Sequence, residues 1–208
     1  MPAEFFLQAA VPALLAYLIG GLPFGYLLVR FSTGKDVRTM GSGNIGATNV
    51  HRTVGRKAGL IVLLLDILKG FVAVWLAAIA SHRDDRIVAI AIVAVMLGHC
   101  YPLLLRFKGG KAVACFIGAF LFVAPVALLV SAVIFLLAFV ITEYISLGSI
   151  TGAAAFPLLL WMIYRPSSPM LLASIAGAVL IVYRHKANIS RISKGTEHRF
   201  SLRGGTAV

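Results

Sequence analysis

The sequence predicts an all-α, polytopic integral membrane protein of seven transmembrane helices, with the N-terminus outside the cell and the C-terminus in the cytoplasm. Of its 208 residues 60% are hydrophobic and only 12% are charged, whereas soluble domains carry about 25% charged residues. The mean hydropathy is +0.96. Apolar runs long enough to span a membrane recur along the chain, and no alternating strand pattern accompanies them.

The first predicted helix covers Phe5 to Val29, a run that contains no charged residue. It is longer than the about 20 residues that a transmembrane helix needs. Pro12, Pro23 and the Gly20–Gly21 pair are expected to bend it, and Arg30 is expected to end it.

Polar segments separate the later predicted spans. The spans are about Ala58–Ala80, Ile87–Leu105, three short crossings within Ala112–Tyr164 broken near Pro125 and Ser146, and Met170–Tyr183. The second span carries Asp66 and Lys69 at positions i and i+3, which share a helix face. Charges at membrane depth usually serve a function. The alternative is a self-neutralising pair that only locks the packing.

The distribution of basic residues predicts the orientation. Of the 19 Lys and Arg residues, six lie in Arg30–Lys57, three in Arg106–Lys111 and six in Arg184–Arg203. The positive-inside rule places all three groups in the cytoplasm. The whole chain has a net charge of +12, and its basic residues flank apolar spans, a pattern typical of cytoplasmic loops beside anionic lipid. The protein is therefore not expected to bind nucleic acid.

Parity then constrains the number of spans. The second and third basic groups lie on one side, so Ala112 to Tyr183 crosses the membrane an even number of times. Five spans result if Ala112 to Tyr164 crosses once, and seven if it crosses three times. That segment is too long for one helix across an apolar core of about 30 Å, which favours seven.

A Gly-rich polar stretch, Met40 to Arg52 (MGSGNIGATNVHR), lies between two apolar runs. Glycine lets backbone approach a ligand closely, and hydroxyl, amide and guanidinium groups bind anions. The stretch therefore predicts a site for a phosphate-sized anion at a helix end. The alternative is a flexible loop that joins two helices.

Several better-known motifs are excluded. GSGNIG fits the dinucleotide pattern GxGxxG, with Asp66 twenty residues after Gly46, but a membrane helix precedes it where a strand is required. The Walker pattern fails because Ala47 occupies the lysine position. None of the five histidines begins HxxxxD, and G-x-S-x-G is absent. Cys100 and Cys115 lie in apolar runs, and no metal or cofactor is expected because no ligand spacing appears.

Anion-binding groups are expected to converge at one membrane face: Ser42, Asn44, Arg52, Lys111, His185, Lys186, Asn188 and Arg191. A helical extension of the last span would place His185 and Asn188 on one face. The alternative for His185 is an interfacial residue beside lipid head groups.

Two rival functions remain open. An anion transporter or channel would need its charges along a path near the bilayer midplane, but only Asp66 and Lys69 lie there. A structural membrane protein with lipid-binding loops accounts for the basic residues. It does not account for the placement of Gly, Ser and Asn.

Three segments resemble, in order, the three cytoplasmic motifs of the bacterial acyl-phosphate:glycerol-3-phosphate acyltransferase family. They are GSGNIGATNVHR (41–52), GHCYPLLLRFKGGK (98–111) and RHKANISRISKGTE (184–197). The resemblance covers nearly the whole chain. It implies a single transmembrane acyltransferase domain over residues 1–208, multi-pass in the bacterial inner membrane, with its active site at the cytoplasmic face.

Two residues depart from the family pattern. Ala112 occupies a position where the family usually has Gly, and Cys115 a position where Thr is common. A positive φ at position 112 would strain an alanine.

The resemblance implies transfer of a fatty acyl group from acyl phosphate to the sn-1 hydroxyl of glycerol 3-phosphate. The products would be lysophosphatidic acid and phosphate, in the first step of phospholipid synthesis. The implied partners are these two substrates and membrane lipid. The resemblance also allows an upstream enzyme that forms acyl phosphate as a partner. The implied catalytic residues are Ser42, Arg52, Lys111, His185 and Asn188. The implied substrate-binding residues are Gly41, Gly43, Asn44, Gly46, Thr48, Asn49, Lys69, Gly109, Gly110 and Glu197.

Each catalytic residue has an expected role. Ser42 and the backbone N–H groups of its loop hold a phosphate. Arg52 and Lys111 neutralise substrate charge, including charge that grows during attack on the acyl phosphate. His185 and Asn188 position glycerol 3-phosphate or polarise the carbonyl.

The proton acceptor and the membrane charges are assigned less directly. Asp66 and Lys69 are expected to support the floor of the pocket. Either His185 or the departing phosphate takes the hydroxyl proton. The phosphate is favoured because Glu197 is the only carboxylate close to His185 in the sequence.

Overall fold

Helices are the regular secondary structure of the part of the chain that the structure describes. A computed structural model describes residues 3–200, and this range contains α-helices and two 3-10 turns but no β-strand. The helices are α1 (Ala3–Gly20), α2 (Phe24–Thr33), α3 (Ala47–Thr53), α4 (Arg56–Ala80), α5 (Asp85–Cys100), α6 (Val113–Val123), α7 (Pro125–Thr142), α8 (Ile145–Tyr164), α9 (Ser168–Arg184) and α10 (Lys186–Ser193). The predicted all-α class is confirmed. Arg203, part of the third basic group, lies outside the described residues.

Five helical stretches within residues 3–200 are long and apolar enough to cross a membrane: Glu4–Thr33, Arg56–Ala80, Asp85–Leu105, Pro125–Thr142 and Ile145–Tyr164. A sixth exists if α9 and α10, bent by 54°, form one broken span. Helix α6 is apolar but has 11 residues, or about 16 Å. The polytopic helical architecture is confirmed. The count of seven, which needs α6 as a crossing, and the orientation remain predictions.

The outer surfaces of these helices are apolar. Leu7 is 73% exposed, Ile141 79% and Leu172 64%. Scattered exposed leucines are ordinary on soluble proteins, but here large apolar side chains cover most of the longer helices. Lipid is the solvent that such surfaces require.

The first predicted span is two helices. Helix α1 continues through Pro12 to Gly20, and the chain is non-helical from Gly21 to Pro23 before α2 begins. The predicted end at Arg30 is wrong, because α2 continues to Thr33. Gly34 ends it in the left-handed conformation, at φ 71°, and donates its N–H to Arg30 O, as in the common glycine helix cap.

Proline affects the helices of two other predicted spans. The third predicted span agrees with the apolar stretch Asp85–Leu105, but the helix within it is broken, because α5 ends at Cys100 and a separate 3-10 turn begins at Leu103. Pro102 causes this break, since a residue that precedes proline is disfavoured in the helical region. The last span begins before Met170, at Ser168, because Pro169 falls in the first turn, where proline is favoured.

The chain groups into two compact units, one up to Val123 and one from Ala124 onward. The first unit contains α1 to α6, and the second contains α7 to α10. The assignment of residues 1–208 to one functional domain remains a prediction.

Close helix contacts organise the first unit. A Cβ added to Gly118 on α6 would collide with Ile67 O on α4, and one added to Gly70 on α4 would collide with Cys115 O on α6. The two glycines therefore let the backbones touch, which is the usual way that membrane helices associate. Helix α1 similarly packs on α5, where Tyr17 Oη donates to Tyr101 O at 2.6 Å.

A small apolar cluster closes one end of the same unit. Its buried members come from α2, α3, α4 and the segments between helices: Val29, Val37, Ile45, Val50, Val62 and Leu105. Ile45 and Val50 belong to the predicted anion-binding stretch, and Leu105 precedes the second basic segment. The cluster therefore ties both segments to one apolar base.

In the second unit, α8 packs between α7 and α9. Ser131 on α7 donates its hydroxyl to Gly152 O on α8 at 2.8 Å, which satisfies a polar group inside an apolar pair. The tail returns to α7, because Phe200 N–H donates to Glu143 O at 2.9 Å and the Phe200 and Phe139 rings meet. This return places the third motif beside the helices of its own unit.

We expect the three basic segments to share the cytoplasmic side. Single cysteines at Thr39, Lys108 and Ser193, all exposed positions, should be shielded from an impermeant thiol reagent in intact cells, on a background without Cys100 and Cys115. All three should react after the cells are permeabilised.

The matched control is Asp85→Cys, an exposed position between α4 and the body of α5. It should react in intact cells because it lies on the opposite side. Labelling of one of the three segments but not the others, without permeabilisation, would contradict the predicted orientation.

Candidate active site

A buried amide shapes the Met40–Arg52 loop. Asn49 is 2% exposed, and its Oδ1 accepts the Ser42 N–H at 2.9 Å. Its Nδ2 donates to Asn44 O at 2.8 Å, Met40 O at 3.0 Å and Val37 O at 3.3 Å. These bonds gather the loop around one side chain. The Asn49 side chain thus bonds the loop's own backbone, and its assignment to substrate binding remains a prediction.

Glycine is required where the loop passes this amide. Gly41 has φ 53°, and a Cβ there would collide with Asn49 Oδ1. Gly43 follows with φ 70°. A residue with a side chain would be strained at either position. The two glycines therefore have a demonstrated role in loop shape, and ligand binding by their backbone remains a prediction.

The loop presents polar groups outward from this frame. Ser42 and Arg52 are exposed, and Thr48 is half-buried. Asn44 Oδ1 accepts Gly46 N–H at 2.8 Å, so this side chain also helps to shape the loop. Internal hydrogen bonds and the apolar cluster hold the segment in this conformation, and its use as an anion site remains a prediction.

The second motif folds back on the end of α5. Arg106 and Phe107 both have positive φ, at 52° and 62°, which reverses the chain direction. Gly109 N–H then donates to Cys100 O at 3.1 Å, and Gly110 N–H donates to His99 O at 3.0 Å. The segment that carries Lys111 is therefore attached to the terminal turn of α5.

Ala112 has a positive φ, the conformation that was expected to strain an alanine at this position. Its φ is 61°, and its side chain is 1% exposed. For an L-residue with a Cβ, this conformation costs about 1–2 kcal/mol relative to the right-handed region. Phe116 N–H donates to Ala112 O at 2.7 Å, at the start of α6. The strain therefore lies between Lys111 and the helix that follows it.

Asp66 and Lys69 form a buried ion pair on α4. Their side chains are 4% and 3% exposed, and Asp66 Oδ1 lies 2.7 Å from Lys69 Nζ. Lys69 also donates to Leu22 O at 2.8 Å. These contacts agree with the alternative of a self-neutralising pair, and the assignment of Lys69 to substrate binding remains a prediction.

Glu197 gathers the third motif within the second unit. Its Oε1 accepts Asn188 Nδ2 at 2.6 Å and the Ser146 hydroxyl at 2.8 Å. Its Oε2 accepts Arg191 Nε at 2.7 Å. The carboxylate side chain is 3% exposed. Glu197 therefore joins the tail to α10 and to the first turn of α8, and its assignment to substrate binding remains a prediction.

The same contacts determine the ionisation of Glu197. Burial disfavours the charged carboxylate, but the hydrogen bonds from Asn188, Ser146 and Arg191 outweigh it and lower the pKa of Glu197 below its ordinary value. Glu197 is therefore ionised at neutral pH, where a charged acceptor strengthens each of the three bonds.

His185 lies at the junction of α9 and α10. The last span has the predicted helical extension, α10, but the two helices are bent by 54° at this junction. His185 is 3% exposed, and its Nδ1 lies 2.8 Å from Ile181 O. A carbonyl accepts but does not donate, so Nδ1 carries a proton and the lone pair of a neutral ring is on Nε2.

The predicted residues thus fall into two groups. The first unit contains the Met40–Arg52 loop, which contributes Ile45 and Val50 to the apolar cluster, and the Gly109–Lys111 segment, which bonds the end of α5. The second unit joins Asn188 to Glu197, near the bend at His185. Sequence reasoning gave no role to Ser146, which lies 51 residues from its partner Glu197. No spacing rule connects residues that far apart.

The fold and these segments define a class of protein: a helical integral membrane protein with polar, Gly-rich loops that carry cationic and hydrogen-bonding groups. A sequence model of the family "Glycerol-3-phosphate acyltransferase" matches residues 10–195. The chain belongs to this family, and it is an acyltransferase.

Relatives from several bacteria are similar along nearly their whole length. The glycerol-3-phosphate acyltransferase of Desulforamulus reducens is 47% identical over 185 residues, covering 88% of this chain and 91% of the relative. That of Aquifex aeolicus is 40% identical over 194 residues, covering 93% and 100%.

Two solved structures share the fold. The crystal structure of PlsY (YgiH), an integral membrane glycerol 3-phosphate acyltransferase, in its glycerol 3-phosphate form has a TM-score of 0.87 and 40% identity, covering 93% of this chain and 96% of the other. Its lysophosphatidic acid form has a TM-score of 0.84 and 39% identity, covering 93% and 95%. The integral membrane class is therefore confirmed.

We expect Glu197 to make stability depend on acid pH. Its folded pKa is lowered, so its contribution is complete above the unfolded pKa and is lost as the pH falls through the folded value. Glu197→Gln should lower the free energy of unfolding by about 2 kcal/mol near neutral pH, because one amide oxygen cannot replace both carboxylate oxygens. The measurement is the thermal unfolding midpoint in detergent from about pH 7 to about pH 3.

Glu143→Gln is the matched control in the same unit. Glu143 is 42% exposed, and its nearest cation, on Arg199, lies 3.9 Å away, so this substitution should leave the acid dependence unchanged. If Glu197→Gln kept the wild-type midpoint and acid profile, the Glu197 contacts would not stabilise the fold.

Proposed function

We propose that the protein transfers a fatty acyl group from acyl phosphate to the sn-1 hydroxyl of glycerol 3-phosphate. Lysophosphatidic acid and inorganic phosphate leave, and the reaction takes place at the cytoplasmic face of a bacterial inner membrane. The main support is the Gly-rich loop of this membrane acyltransferase: Ser42 and Arg52, which are chemically suited to an anion, are exposed on a segment that the buried Asn49 amide holds in shape.

The donor is proposed from the chemistry of the chain. The HxxxxD pattern of thioester-dependent acyltransferases is absent, and the segments between the long helices are short. A nucleotide carrier is large, whereas the phosphate of acyl phosphate is a small dianion. The guanidinium of a Gly-rich loop and the lysine of the Gly109–Lys111 segment suit that dianion. Its release also needs no strong acid, because phosphate is a good leaving group.

In the proposed step, the sn-1 hydroxyl oxygen attacks the acyl carbonyl carbon. A new carbon–oxygen ester bond forms, the bond from that carbon to the phosphate oxygen breaks, and the hydroxyl proton passes to the departing phosphate. Arg52 and Lys111 offset the negative charge that develops on the carbonyl and phosphate oxygens. Ser42 and the backbone N–H groups of its loop hold a phosphate.

His185 and Asn188 are proposed to orient glycerol 3-phosphate. The Nδ1 contact of His185 with Ile181 O directs the lone pair of the neutral ring to Nε2, so His185 is chemically able to accept the hydroxyl proton as well. Asn188 is oriented by its bond to Glu197. The departing phosphate remains the proposed acceptor because it reaches the reaction centre with the substrate.

The structure of the membrane-embedded charges favours an enzyme over a transporter. A conduction path needs charged or polar groups that face water near the midplane. Asp66 and Lys69 are instead buried against each other.

The whole chain, residues 1–208, is proposed to act as one catalytic domain. An enzyme that forms acyl phosphate must supply its donor.

We expect Arg52→Ala, Lys111→Ala and Asn188→Ala each to lower kcat by at least about 100-fold, because each removes a preorganised polar group that acts on developing charge or on the acceptor. Purified protein would be assayed with palmitoyl phosphate and glycerol 3-phosphate. Thermal unfolding would be followed in parallel, since Asn188 also bonds Glu197.

Neighbouring cations provide matched controls. Arg56→Ala and Lys108→Ala remove exposed charges from the same segments and should stay within about threefold of wild type, as most surface substitutions do. His82→Ala and His198→Ala, also exposed, should behave likewise. Full activity of folded Lys111→Ala would contradict the proposed charge neutralisation.

Turnover is expected with acyl phosphate and not with acyl-coenzyme A of equal chain length. Inorganic phosphate should inhibit competitively against acyl phosphate, because both occupy the same cationic site. Initial rates with each donor in protein free of contaminating acyltransferase would test this. Robust activity with the thioester would contradict the donor assignment while leaving glycerol 3-phosphate as the acceptor.

A further inference from the structure

Three polar side chains from two helices meet inside the first unit. Asp66 and Lys69 belong to α4 and His99 belongs to α5. Each of the three residues, taken as a whole, is at most 4% exposed. Asp66 Oδ1 lies 2.7 Å from Lys69 Nζ and 3.7 Å from His99 Nδ1. Burying charge among apolar helices is costly.

One end of the cluster is anchored at the break between α1 and α2. Lys69 Nζ donates to Leu22 O at 2.8 Å and lies 5.5 Å from the centre of the Phe24 ring. The lysine thus holds Asp66 from one side and the helix break from the other. The position of the carboxylate is set by these bonds.

The other end of the cluster contacts the Gly109–Lys111 segment. A Cβ built on Gly110 would collide with His99 Nε2 and lie 2.9 Å from Cδ2 and 3.0 Å from Cε1 of the same ring. The backbone of Gly110 also donates to His99 O at 3.0 Å. The imidazole therefore lies directly against the residue that precedes Lys111.

We propose that Asp66, Lys69 and His99 form a buried seat for the Gly109–Lys111 segment, and that His99 is a positioning residue for Lys111. The Nδ1 side of the His99 ring faces Asp66, whose carboxylate is paired with Lys69. The Nε2 side lies against Gly110 and limits where its backbone can lie. This inference rests on the proposed function, in which Lys111 neutralises charge during acyl transfer. A displacement of about 1 Å commonly lowers a rate by about 100-fold.

The contact between ring and glycine allows a double-mutant cycle. Gly110→Ala introduces a methyl group where the ring leaves no space, so it should lower kcat by about 100-fold. His99→Ala removes the ring and should also lower kcat. In the His99→Ala background, however, Gly110→Ala should change kcat by less than about threefold, because the added methyl group then has room. Coupling of this kind is typical of residues in contact.

Gly118→Ala is the matched control. Its added Cβ would collide with the backbone at Ile67 O, which His99→Ala does not relieve, so these two substitutions should act independently. The cycle is repeated with His99→Asn, which also makes room but keeps a polar group, so that the test does not depend on the folding of one variant. In every active variant, the loss should appear in kcat more than in KM for glycerol 3-phosphate.

A second readout does not require activity. Trypsin cleaves after Lys111, which is half-buried, and in folded protein without substrate the cleavage rate should rise in Gly110→Ala and in His99→Ala. The double variant should be cleaved no faster than His99→Ala alone. Unfolding midpoints close to wild type would establish that cleavage reports the loop and not the whole fold.

The outcomes separate the two proposals. Effects of His99→Ala and Gly110→Ala that multiply in the rate assay, or unchanged cleavage after Lys111 in both single variants, would overturn the seat. A wild-type protein that is inactive with acyl phosphate, yet shows the coupled cleavage pattern, would overturn the proposed donor and leave the seat in place.

Discussion

A polar group that is buried among apolar helices must find its partners within the protein, since lipid offers none. This requirement organises each part of the molecule that carries functional residues. Asn49 bonds four backbone groups with one amide, three in the Met40–Arg52 loop and one at Val37 before it. Asp66 is matched by Lys69, and Glu197 accepts three hydrogen bonds in the second unit. Unpaired, any of these groups would cost several kcal/mol.

The consequence is a division between residues that face outward and residues that hold them. Ser42 and Arg52 are exposed, and the buried amide of Asn49 fixes the loop beneath them. In the second unit, Asn188 is oriented by Glu197. Catalysis by charge stabilisation depends on groups that do not reorganise during the reaction. A polar frame held by internal hydrogen bonds would provide that condition for the proposed reaction.

Backbone conformation is part of the same frame. Gly41 and Gly43 take positive φ without strain, but Ala112 takes it with a Cβ. The strained residue lies between Lys111 and α6, where the chain turns from a polar segment into an apolar helix. Strain of about 1–2 kcal/mol persists because neighbouring contacts over-determine the path. Those contacts are the loop hydrogen bonds to Cys100 O and His99 O.

The sequence by itself determined the helical membrane class, the approximate spans and the polar loops with residue types suited to anions. Hydropathy, charge and local motifs can each be read from a short stretch of sequence. The helix boundaries near Arg30 and Leu105 needed the structure, since a glycine cap and a proline break decided them. Only tertiary structure decided that Asn49 and Glu197 bond the protein's own polar groups. It also showed that His99 joins Asp66 to Gly110. Some of these contacts, such as Asp66 with His99 and Ser146 with Glu197, join residues far apart in the chain. Others, such as those of Asn49, join residues that are close in sequence. Both kinds depend on packing, which no local pattern encodes.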